Sequence, residues 1–202
     1  MCPGEAPPPA DAQAVLDFWF GAPQDALFGQ PRREWFLKDP AFDARVRERF
    51  GPLIDAAIAG ELRPWAATPQ GALALLLLLD QFTRNVHRGT PRAFAGDAQA
   101  LEVARAVVER GWDRQLRPVQ RWFVYLPFEH AEDPEAQRSA VALFEALARE
   151  APGDGVEEAL DYARRHLAVI ERFGRFPHRN EILGRATTAE EARFLEQPGS
   201  SF

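Results

Sequence analysis

The sequence predicts an all-α fold of about eight helices, and three observations predict it. Apolar residues recur three and four positions apart in almost every segment. Helix starts are marked by Asp-Pro, Thr-Pro and a Thr-x-x-Glu box, and helix ends by glycine. Neither an alternating strand pattern nor an Asn-Gly hairpin signal occurs in the chain.

Taken in order, Asp11 is placed to cap a first helix that turns Val15, Leu16, Trp19 and Phe20 to one side and stops at Gly21. A loop rich in proline and glycine follows, carrying Trp35 and Phe36. Asp39-Pro40 starts a second helix whose stripe is Phe42, Val46, Phe50, Leu53, Ile54 and Ala57, with Gly51-Pro52 predicting a kink or a split. Thr68-Pro69 starts a third, whose run ALALLLLLD is apolar on every side and so predicts the buried centre of the fold. Asp97 opens a fourth, with Ala100, Leu101, Ala104, Val107 and Val108 inward up to Gly111. A short aromatic helix over 118–126 carries Trp122, Phe123 and Tyr125, which are read as core. Asp133-Pro134 starts a sixth with Ala140, Val141, Phe144 and Leu147 inward. The seventh, lined by Val156 through Ile170, stops at Gly174. Thr188 and Glu191 form a capping box for a last short helix through Leu195. Short loops favour antiparallel neighbours, and both a bundle and an array of helical hairpins satisfy the pattern. No clean 34-residue period of tetratricopeptide type is found.

The 202 residues suit a disordered tail over 1–10 and a single all-helical domain over 11–202. A net charge of −6 argues against a nucleic-acid partner. The longest apolar run, 71–79, is less than half of the roughly 20 residues needed to span a bilayer. With no signal-peptide pattern at the N-terminus, the reading is a cytoplasmic protein with no membrane partner. Cys2 is the only cysteine, so the chain has neither an intrachain disulfide nor a cysteine metal cluster. Lys38 is the only lysine, a bias that raises the background expectation for arginine clusters.

Three polar stretches, 80–88, 127–133 and 172–180, follow the third, fifth and seventh helices. If successive helices alternate in direction, those three run parallel and their polar ends emerge together. The candidate ligand-binding residues are therefore Arg84, Asn85, Arg88, Glu129, His130, His166, Arg175, His178, Arg179 and Asn180. Arginine and histidine at helix C-termini also have a plain structural role as caps. Asparagine is equally a turn residue. Glu129 and His130, set among aromatics and proline, are the candidate catalytic pair for proton transfer. The histidine and glutamate spacing matches neither H-E-x-x-H nor the paired Glu-x-x-His of di-iron bundles, so no metal site and no cofactor are assigned. No serine has a nucleophile context.

The blocks LLLLDQFTRNVHRGTPRAFAGDAQAL, LPFEHAED and HLAVIERFGRFPHRNEILGRATT, between VLDFWFG and EQPGSSF, resemble the bacterial domain of unknown function family nine-two-four over nearly the whole chain. The resemblance implies a tetratricopeptide-like array of antiparallel hairpins and no established activity. Thr83, His87 and Ala131 stand where the family usually has proline, an aromatic and serine, which lowers His87 as a site residue. The first functional reading is a groove binding a small polar or anionic ligand or a peptide. The alternatives are an enzyme using Glu129 and His130, with or without metal assistance, and a structural interaction module. Oligomeric state is not readable.

Overall fold

A computed structural model of the chain describes residues 8–200, and among them it is all helical, with no strand. Much of the expected tail, including Cys2, lies outside the described residues, as does Ser201. The helices are α1 (Ala10–Phe20), α2 (Pro40–Ile58), α3 (Pro69–Leu76), α4 (Thr83–Val86), α5 (Asp97–Glu109), α6 (Pro118–Glu129), α7 (Pro134–Glu150), α8 (Val156–Phe173) and α9 (Ala189–Leu195). A π-helical segment, Leu77–Phe82, joins α3 to α4 without a break.

Most start signals act as read. Asp39 accepts from the amides of Ala41 and Phe42, Thr68 from Gly71, Asp133 from Glu135, and Thr188 with Glu191 closes a reciprocal box. Three expectations are corrected. The first helix begins at Ala10 behind Pro9, which leaves Asp11 in the first turn, where its charge meets the positive end of the helix rather than capping it. Gly51-Pro52 does not split α2, which runs unbroken because Phe50 and Ile54 on either side are pinned in the core. The fifth helix does not stop at Leu126 but continues through Pro127 to Glu129, since buried Phe128 and the His130 amide bond to the Leu126 carbonyl hold the last turn.

The leucine run is the centre. Leu73 and Leu75 to Leu79 are each at most 2% exposed. Each contributes about 2 kcal/mol of gross burial before entropy is subtracted. α3 lies against α1, α5 and α6, while α6 packs on α5, α7 and α8. The short 130–133 and 151–155 connections make α6, α7 and α8 a run of antiparallel neighbours. α6 thus lies against both α3 and α8. No helix among the described residues is long and apolar enough to cross a membrane.

Gly96, just before α5, is required by close approach rather than by its dihedrals. A Cβ there would sit 2.2 Å from the Leu79 carbonyl oxygen, a backbone atom that cannot swing aside. Gly96→Ala is therefore expected to lower stability in urea unfolding by about 1–3 kcal/mol. Wild-type stability in this variant would contradict the close packing of α5 on the π segment.

Candidate functional site

The π segment decides the site. An i→i+5 turn widens the helix and re-aims the side chains beyond it, and such turns are frequent at functional positions. Here it keeps Asp80 inside the helix, 1% exposed, instead of letting the chain end in a polar loop after Leu79. A carboxylate at that depth needs partners. Asp80 Oδ1 lies 2.6 Å from His130 Nδ1 and 3.0 Å from an Arg84 guanidinium nitrogen, and Oδ2 accepts from Gln81 Nε2 at 2.6 Å. Arg84 also donates to the Asp80 carbonyl at 2.8 Å and grips Asp97 at the start of α5 through a fork at 2.9 and 3.1 Å. Burial pushes the Asp80 carboxyl up, but Arg84 and His130 more than offset it and hold it below the usual carboxylate range. Arg84 is held above its ordinary value, because Asp80 and Asp97 outweigh the effect of its burial.

An ionised Asp80 can only accept, so the His130 proton sits on Nδ1. Burial first, then the Arg84 charge, keeps the His130 imidazole below its ordinary value, against the opposing pull of Asp80. The ring is neutral at pH 7. Its side chain is 15% exposed, and the hydrogen bond it makes is through Nδ1. With the proton on Nδ1, Nε2 carries the ring's lone pair, on an imidazole oriented by the Asp80 carboxylate.

Glu129 and His130 are not bonded to each other. At the end of a helix, adjacent residues point about 100° apart, and each side chain finds a partner across the core. Glu129 Oε1 lies 3.0 Å from His166 Nδ1 of α8, and Oε2 is buried with no hydrogen-bond partner. Burial, reinforced by the charge of Asp80, pushes the Glu129 carboxyl up to about 8, so it is a neutral acid at pH 7. The His166 Nδ1 proton is donated to the Tyr162 carbonyl at 2.8 Å, and burial holds this imidazole down at about 3. The His130 and His166 rings are 6.3 Å apart.

Arg179, from the one-turn helix Pro177–Arg179, closes the group. Its guanidinium stacks 4.7 Å from the Phe94 ring and 4.5 Å from Phe176. One nitrogen reaches Asp97 at 3.4 Å, while Nε is buried without a partner. Burial, then repulsion from Arg84, brings it down to about 10. The His178 ring, 5.6 Å from that of Phe176, is held at about 4 by burial and by Arg179.

The remaining candidates are placed elsewhere. Asn85 and Arg88, three positions apart and so on one face about 100° from Arg84, turn to Asp43 of α2 at 2.7 and 2.5 Å. His87 lies near Arg92, Asp55 and Arg47 on that same side. Arg175 forks onto Glu191 of α9 at 2.7 and 2.9 Å, and Asn180 bonds Glu191 and accepts from Arg185. Arg185 in turn grips Glu132 at 2.6 and 2.9 Å. These pairs seat the loop between α8 and α9. The structure thus gathers Arg84, Glu129, His130, His166, His178 and Arg179, and leaves Asn85, Arg88, Arg175 and Asn180 outside. Sequence reasoning misses Asp80 and Asp97 as site residues. The available signal for Asp80 is an acidic residue closing a run of wholly buried leucines, which must be paired to be tolerated there. Among the described residues no group of three or more His, Cys, Asp or Glu is positioned to hold a metal ion.

Comparison with known proteins agrees with an unassigned activity. The model of a family described as bacterial protein of unknown function (DUF924) matches residues 15–199. The chain is similar to the solved structure of a protein of unknown function from Agrobacterium tumefaciens, with 42% identity and a TM-score of 0.77, over 92% of this chain and 96% of that one. No protein of curated function matches.

Proposed function

The chain belongs to the bacterial family of unknown function matched over residues 15–199, and from its own site we propose that it binds a small polar ligand, or a peptide end, that offers a hydrogen-bond donor to His130 Nε2 and an anionic group to Arg179. The observation that carries this reading is the Asp80–His130 contact of 2.6 Å, which fixes the ring and leaves one nitrogen unspent. Arg179 supports it, since its guanidinium reaches Asp97 only at 3.4 Å and a ligand carboxylate or phosphate would give it a closer, charge-assisted acceptor. Hydroxycarboxylates, phosphate monoesters and peptide C-termini all carry both groups.

A thermal-shift screen with those three classes tests the reading. A ligand present at about 100 times its Kd should raise Tm by about 5–10 °C. His130→Gln and Arg179→Gln, folded as judged by circular dichroism, should each lose the shift. A ligand that stabilises the wild type and both variants equally would sink the proposal.

A second reading rests on Glu129. A neutral carboxylic acid beside a carboxylate-oriented imidazole is a pairing suited to acid–base chemistry. In that reading the working base is His130 with Asp80 behind it, not Glu129 with His130. Hydrolysis of small esters lost in His130→Gln would favour it over binding alone.

A further inference from the structure

We infer a second binding site, for a small carboxylate with an apolar or aromatic body, in the cleft between α3, α5 and the one-turn helix Arg63–Ala67. The cleft has a volume of about 230 Å³ and shares no residue with the His130 site. Small residues leave room there: Ala66, Ala72 and Ala106 line it together with Leu75 and Val107. α5 supplies one wall through positions three and four apart, from Gln99 to Arg110, so a single face of one helix carries both the apolar floor and the charged rim.

The volume sets the size of the occupant. An apolar cavity of about 150 Å³ is enough to hold benzene. A space of about 230 Å³ therefore has room for a ring or a short branched chain together with a head group. The rim sets the charge. Arg110 lines the cleft with its guanidinium 4.7 Å from the ring of Trp112, another lining residue. No ion pair or hydrogen bond to the Arg110 side chain occurs among the described residues, so its donors are available. Arg63 faces Glu102 at 3.6 Å, with both side chains more than 60% exposed, a pairing that water already screens. Two guanidinium groups against one carboxylate leave the rim one positive charge in excess. A single carboxylate completes it, and arginine is the side chain whose fork matches that group. An amphipathic cation or a neutral amide meets the same floor without meeting the rim.

Isothermal titration with benzoate and with benzamide tests the assignment on the full chain. Benzoate is expected to bind about tenfold or more tightly than benzamide, the discrimination of a charge-assisted pair. Arg110→Gln, on an exposed side chain, should weaken benzoate by a similar factor without changing the fold. Ala106→Leu should fill the cleft and abolish binding, with benzoate-induced amide shifts in NMR around Trp112 and Val107 disappearing. His130→Gln should leave benzoate binding untouched. Equal affinity for benzoate and benzamide, unaltered binding in Arg110→Gln, or loss of binding in His130→Gln would each overturn the inference. The last outcome would place the acid at the other site instead.

Discussion

At pH 7 the Glu129→Gln protein is expected to unfold with a free energy about 3 kcal/mol above that of the wild type. Glu129 has an ordinary carboxyl value of 4.5 and a folded value of about 8. A carboxyl whose folded value is raised contributes stability that is complete below 4.5 and is lost as pH rises through about 8. Each pH unit in that window costs about 1.4 kcal/mol, because the unfolded chain ionises this group and the folded one does not. The substituted glutamine cannot ionise in either state, so the loss disappears. His166 works in the opposite direction. Its folded value, about 3, lies below the ordinary 6.5, so its contribution is present above 6.5 and is lost as pH falls toward 3. Between 4.5 and 6.5 the two slopes cancel, so this pair gives a plateau there, followed above 6.5 by an alkaline decline that Glu129→Gln abolishes. Urea unfolding of both proteins from about pH 5 to 8.5 reads the alkaline slope in the wild type and the histidine slope, no longer cancelled, in Glu129→Gln. An alkaline decline that survives the substitution would show that Glu129 is ionised in the folded protein.

The opposite substitution in kind, Asp80→Ala, should be among the most damaging in the chain, at about 3–5 kcal/mol. It removes a carboxylate that is 1% exposed and strips His130 Nδ1 and Gln81 of their acceptor. Arg84 keeps Asp97, which holds the loss toward the lower figure. Because the folded Asp80 carboxyl lies below its ordinary 3.8, its contribution is fully present above that value and fades as pH falls through the folded one. The penalty should therefore shrink in strong acid. A double-mutant cycle with His130→Ala should give a coupling of about 1–3 kcal/mol. Additive single effects would mean that the two side chains are neighbours without being partners.

These two substitutions are expected to act in opposite directions although both residues lie in the same buried polar cluster. Part of that site is legible in the sequence. His130 at the end of α6 does meet the polar stretch that follows the leucine run, through Asp80, and helix starts such as Asp133 and Thr188 are local and readable. The π turn is not legible. A run of leucines looks the same in either helix type, so Asp80 reads as the start of a polar end rather than as a buried partner. Side-chain direction is the other loss. Asn85 and Arg88 stand beside Arg84 in the sequence, but α4 turns them to Asp43. Glu129 and His130 likewise send their side chains to different partners, His166 and Asp80. Arg175 and Asn180 go to Glu191, which the sequence marks only as part of a capping box.

Everything proposed for the site depends on the state of one ring, and nitrogen-15 NMR of the imidazoles reads it directly. At pH 7 the His130 ring should be neutral, with its proton on Nδ1 and an Nε2 shift characteristic of a bare nitrogen, and it should stay neutral below the ordinary histidine midpoint of 6.5. A His130 ring that carries its proton on Nε2, or that titrates as a free histidine with both tautomers exchanging, would contradict the site as described.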